Sequence, residues 1–151
     1  MSENQEYLDT LLRYYEEEIS GEAYFYHLAE FLSEPDKTVL LGKVEREAAA
    51  SVEPLLEKYR LKPRDESVIQ KEGRSYVPNH ANYSWHEFMT HIVTRYPGYL
   101  VDFKNLESMA PKADLPALKR LTEHEVVVID FAEKELSGDP DSVEPLHRYL
   151  D

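Results

Sequence analysis

The sequence predicts an all-α protein of a single domain, residues 1–151, built as a four-helix bundle from two helical hairpins. Three observations lead there. Apolar residues recur at three- and four-residue spacing along four separate stretches. Glycine is scarce, 5 of 151 residues, while Leu, Glu and Tyr are abundant. One long aperiodic stretch divides the four periodic ones into two pairs.

Residues 5–33 form the first predicted helix, with Leu8, Leu11, Leu12, Tyr15, Ile19, Tyr26, Ala29 and Leu32 on its stripe. Gly21 interrupts it, at a propensity cost of ~1 kcal/mol relative to Ala, and signals close approach of another backbone. The segment "SEPD" at 33–36 ends the helix, and Asp36 is the expected cap of the next. That second helix, 37–59, carries Leu41, Val44, Ala48, Val52, Leu55 and Tyr59. Pro54 is expected to kink it or fray its last turn. Residues 60–83 show no sustained period and contain Pro63, Gly73 and Pro78. They read as a long crossover that lets two helices run parallel.

Ser84 and Glu87 form a capping box that opens the third helix, 84–110. Trp85, Phe88, Ile92, Tyr99, Phe103 and Leu106 line one side of it, and "RYPG" at 95–98 is expected to bend or break it. The fourth helix, 115–136, contains "EVVVID", apolar nearly all round. That pattern implies cover from a second subunit, hence a homodimer. Gly138 ends it, and an acidic, proline-containing tail follows.

Composition narrows the function. The net charge is −13, from 30 acidic and 17 basic residues, with no basic cluster. This disfavours nucleic acid and acidic membrane surfaces as partners. No apolar run approaches the ~20 residues of a membrane span. The absence of cysteine excludes disulfides, thiolate metal sites and cysteine nucleophiles. The polar N-terminus lacks the apolar segment of a signal peptide, so the cytoplasm is the expected compartment. No P-loop, dinucleotide fingerprint or nucleophile elbow is present.

The informative residues are carboxylates and histidines on apolar stripes. Glu22 falls between Ile19 and Tyr26, with Glu18 one turn earlier at the stripe's edge. Glu45 lies beside the core face of the second helix. His124 and Glu125 fall between Leu121 and Val128, and His91 precedes Ile92. A buried carboxylate must be neutral, hydrogen-bonded, paired or metal-bound.

"ISGEAYFYHLAEFL" and "KVEREAAASVEPLLEKY" resemble the first and second ligand helices of the ferritin-like superfamily, and of rubrerythrin-type proteins in particular. The resemblance implies a carboxylate-bridged metal site with Glu22 as first-helix ligand and Glu45 at the Glu of Glu-x-x-His. The family's full set is a Glu from each of two helices and Glu-x-x-His from each of the other two. Here Ala48 stands at the His position of the second helix and Tyr99 at the third-helix Glu. On the fourth helix two registers remain open. Either His124 is the ligand and Leu121 replaces the glutamate, or Glu123 is the ligand and Val126 replaces the histidine.

The resemblance therefore implies a reduced site for iron or manganese, with Glu22, Glu45 and His124 as ligands and Glu18, His91 or Glu125 as supplements. It does not imply ordinary di-iron oxidase chemistry. The competing reading is a metal-free scaffold that acts as a dimeric interaction module or holds a small molecule among Tyr24, Tyr26, Tyr99, Phe103 and Trp85. In that reading Glu22 bonds a core tyrosine, Glu45 is salt-bridged, His124 is a satisfied core histidine and His91 pairs with Glu87. His80 and His147 are expected at the surface.

Overall fold

A computed structural model describes residues 2–151, with side chains from residue 4 onward. Among the described residues there are six α-helices and no strand: α1 (Ser2–Leu28), α2 (Pro35–Lys58), α3 (Glu66–Ser75), α4 (Trp85–Met109), α5 (Leu115–Ser137) and α6 (Glu144–Leu150). No helix among them is long and apolar enough to cross a membrane.

The pairings fix the directions. Tyr7 meets Tyr59 at one end of α1 and Tyr26 meets Gly42 near the other, so α1 and α2 are antiparallel. Phe103 touches the His124 ring and Trp85 touches Phe131, so α4 and α5 are antiparallel too. Tyr14–Phe103 and Phe25–Phe88 contacts set α1 against α4. It follows that α2 and α4 run the same way, as a long connection between hairpins allows.

Several local expectations change. The helix after "SEPD" begins at Pro35, whose fixed φ suits a first helical position; Glu34 precedes it without a side-chain cap and Asp36 lies in the first turn. Pro54 and Pro97 both lie inside continuous helices. Pro97 removes the donor of the Val93 carbonyl, and it does so on a face where Thr94, Arg95, Gly98 and Val101 are exposed and Val93 itself is only half-buried. The capping box at Ser84 and Glu87 forms as expected, and Gly138 closes α5 with φ 76°.

The crossover is not structureless. Asp65 caps α3 by accepting from the Ser67 amide at 2.8 Å, and Ile69 and Gly73 are buried. Two buried positions in ten residues are too few to show as a period. Gly73 is where backbones meet: a Cβ there would lie 2.1 Å from the Ser20 carbonyl oxygen on α1. The tail also folds. In α6, Leu146 and Tyr149 are buried, and the Arg120 guanidinium sits 3.6 Å from the Tyr149 ring centre.

The core divides into two apolar clusters. One gathers Tyr7, Leu11, Ile19, Val52, Leu106 and Leu121. The other gathers Phe25, Leu41, Phe88, Val128, Phe131 and Tyr149. Between them, at the level of residues 18, 22, 45, 124 and 125, the interior is polar.

Candidate metal centre

Three side chains converge in that polar layer. His124 Nε2 lies 2.7 Å from Glu18 Oε1 and 2.9 Å from Glu45 Oε2. One ligand atom from each lies within 4.8 Å of the other two. Glu18 and His124 are 5% and 1% exposed, and the Glu45 side chain 14%. The helices α1, α2 and α5 each contribute one member.

The contacts are short but badly directed. Neither Glu18 Oε1 nor Glu45 Oε2 has a hydrogen bond of acceptable geometry, although both face the imidazole. One ring N–H cannot aim at two oxygens at once. The other nitrogen, Nδ1, bonds the Leu121 carbonyl. A carbonyl only accepts, so Nδ1 carries the proton. Nε2 then presents to the two carboxylates either a lone pair or a second proton.

Electrostatics follow. Burial alone pushes the His124 pKa down, but Glu18 and Glu45 outweigh it and hold the value well above the usual histidine range. Burial, with Glu18 adding to it, pushes Glu45 up to about 8. Burial also raises Glu125 to about 8, against the opposing influence of His124.

Gly21 makes this convergence possible. A Cβ at position 21 would stand 2.6 Å from Glu45 Oε1. The missing side chain opens a slot for a carboxylate, not for a backbone as the sequence suggested. Gly21→Ala is therefore expected to leave the fold intact, since it improves helix propensity by ~1 kcal/mol. It should still displace the Glu45 carboxylate from His124, and any affinity of the group for a metal ion should fall about tenfold or more, the size of effect seen when a ligand's support is lost. Thermal melts and metal titration of the variant check both halves.

The first-helix carboxylate in the group is Glu18, not Glu22. Glu22 accepts from Arg46 Nε and Nη2 at 3.0 and 2.8 Å, and Arg46 reaches on to Glu66 at 3.0 Å. The tyrosine beside it, Tyr26, is 39% exposed and so lies outside the core. Glu45 joins the group with His124, the first of the two registers considered for the fourth helix. Ala48 is fully buried among apolar neighbours.

His91 does not pair with Glu87, which is spent on the Ser84 cap. Its ring lies against Phe88 and 4.5 Å from His80. His80 is half-buried, not a surface residue, and its Nδ1 is 2.6 Å from the Tyr24 hydroxyl. His147 is exposed as expected.

A cavity of about 620 Å³ opens beside the group and is lined by Glu18, Glu45, Glu125, Tyr24, Tyr96, Tyr99, Phe103, His80 and His91, among others. Of the aromatic residues that the sequence grouped as a pocket, Tyr24, Tyr99 and Phe103 line it. Tyr26 faces a different hollow beside Arg46, and Trp85 donates to Glu135 at 2.7 Å. Tyr96 and His80 were missed. Tyr96 lies four residues after Ile92 and seven before Phe103, so the helical period could have found it; His80 lies in an aperiodic stretch that offered no such signal.

The chain matches no protein-family model, no curated protein and no solved structure.

Proposed function

We propose that this chain is a ferritin-like four-helix bundle that binds one iron or manganese ion through Glu18, Glu45 and His124. The observation that carries the reading is the pair of buried carboxylate oxygens, both without a directed hydrogen bond, facing one imidazole nitrogen. Buried acceptors without donors are costly. A cation between the three atoms relieves all of them, and the donor set of two carboxylates and one imidazole suits iron or manganese.

The chain's own groups fit that role. The Leu121 carbonyl holds the Nδ1 proton, so Nε2 is the nitrogen that an ion would take by displacing its proton, as supporting groups commonly arrange for ligand histidines. Ala48 supplies no second imidazole, which favours one ion over two. A bound ion supplies a Lewis-acid or redox centre at the edge of the cavity; Tyr96, Tyr99 and Phe103 shape that space beside it.

The alternative is a metal-free dimeric scaffold. It draws on Tyr99, Val101 and Val126, which are 50, 58 and 46% exposed on α4 and α5. One experiment separates the two. Chelator-stripped protein is titrated with manganese and iron(II) while its melting temperature is followed. The metal reading expects one equivalent bound and a rise in Tm, lost in His124→Ala and Glu45→Gln but kept in Glu22→Gln. A protein indifferent to both ions that sediments as a dimer supports the scaffold and ends the metal reading.

A further inference from the structure

Glu125 is the one member of the polar layer that none of these contacts explains. It is 5% exposed, lines the cavity, and no hydrogen bond or ion pair among the described residues reaches it. It is also outside the group of three whose ligand atoms lie within 4.8 Å of one another. Among the described residues only Glu18 Oε1 and Glu45 Oε2 are fully buried without a partner, so the Glu125 carboxyl opens onto the cavity, and whatever fills that space must meet it.

The cavity walls indicate what that is. Tyr24 on α1 and Tyr96, Tyr99 and Phe103 on α4 present aromatic surface to the same space. The arginines at the cavity, Arg13 and Arg64, are 62% and 51% exposed and already paired with Glu17 and Glu16. No buried base stands ready for an anion. A neutral apolar ligand would displace water from Glu125 and leave its carboxyl without a partner. An organic cation satisfies both features: its charge favours the carboxylate over the protonated form that burial otherwise favours, and its body meets aromatic faces.

We infer that the cavity between α1 and α4 binds a small organic ammonium ion, its charge on Glu125 and its body against Tyr24, Tyr96, Tyr99 and Phe103. A cavity of about 620 Å³ lies within the range of small-molecule sites. The ligand needs no metal, so this inference stands or falls apart from the metal reading.

The test uses chelator-stripped protein and three probes: 2-phenylethylammonium, benzyltrimethylammonium and the neutral 2-phenylethanol. Calorimetry is expected to show both cations binding about tenfold or more tighter than the alcohol. Glu125→Gln, close in shape to the native residue, should erase that preference and leave alcohol binding unchanged. Tyr99→Ala, at an exposed position, should weaken both cations while the protein stays folded. A tighter primary amine would assign direct hydrogen bonding to Glu125, and a tighter quaternary ion would assign the aromatic faces. Equal binding of cation and alcohol, no binding of either cation, or a Glu125→Gln protein that keeps the preference overturns the inference. So does a second metal equivalent in the wild type that Glu125→Gln removes.

Discussion

Chelator-stripped protein is expected to lose stability as the pH rises from about 5 to 9, and on the proposed metal reading an added ion should reverse that trend. The sign comes from the polar layer. Glu45 and Glu125 have folded pKa values near 8, above their value in the unfolded chain. Across the window from about 4.5 to 8 the folded state keeps protons that the unfolded state has released, so raising the pH favours unfolding. His124 acts in the same direction. Its folded pKa is raised, so its contribution is complete below the unfolded value of about 6.5 and is lost as the pH climbs through the folded one. Each pKa unit is worth about 1.4 kcal/mol, so one such carboxyl accounts for several kcal/mol across the window.

On the proposed metal reading, a divalent ion competes with those protons. The melting temperature gained from manganese should therefore grow with pH, from little at pH ~5 to its largest value at pH ~9. Scanning fluorimetry across the range, with and without the ion, measures both slopes. Glu125→Gln removes one of the two raised carboxyls and should flatten the stripped protein's profile. A stripped profile that is flat or rises with pH would contradict the arrangement described.

The second large effect lies at Asp114, far from the candidate centre. Its carboxylate is 1% exposed and accepts from Tyr7 at 2.7 Å, Tyr59 at 2.5 Å and Lys58 at 2.6 Å. Burial pushes its pKa up, but the hydrogen bonds from Lys58, Tyr59 and Tyr7 outweigh it and leave the value below the ordinary one. Three donors aimed at one buried carboxylate tie α1, α2 and the start of α5 together. Asp114→Asn turns one acceptor into a donor and removes the charge that the lysine meets. The expected cost is about 2–4 kcal/mol. At this chain length that lowers Tm by roughly 10 °C.

Its pH dependence is opposite to that of the polar layer. With a depressed folded pKa, the contribution of Asp114 is present above the unfolded value and is lost as pH falls through the folded one. The variant should therefore show a smaller further loss below pH ~4 than the wild type. Equal acid sensitivity of the two proteins would remove Asp114 from the account. From these two effects the stripped protein is expected to be most stable in mildly acidic solution.

Much of the fold was legible in the sequence because periodicity reports burial. The helices α1, α2, α4 and α5 bury long faces, and their stripes place them within a few residues. Short elements escaped. With two buried positions, α3 cannot generate a detectable repeat, and α6 depends on Leu146 and Tyr149 docking against other helices. Of the outcomes expected at "RYPG", the break does not occur: α4 runs through Pro97, and Thr94, Arg95 and Gly98 around it are exposed, a tertiary property that the local sequence does not report.

For the site, sequence alone determined which residue types would be strained. Glu18, Glu22, Glu45, His124 and Glu125 all fall on or beside apolar stripes, so some compensation was required of each. The tertiary structure decided how each is compensated. Glu18 and Glu22 are one turn apart on the same helix, and nothing local distinguishes them. Arg46 claims Glu22, while the slot at Gly21 leads the neighbouring Glu45 toward Glu18 and His124. A helical stripe specifies a direction around one axis. Which two groups meet depends on the rotation and offset between helices, and those are set by packing across the whole core.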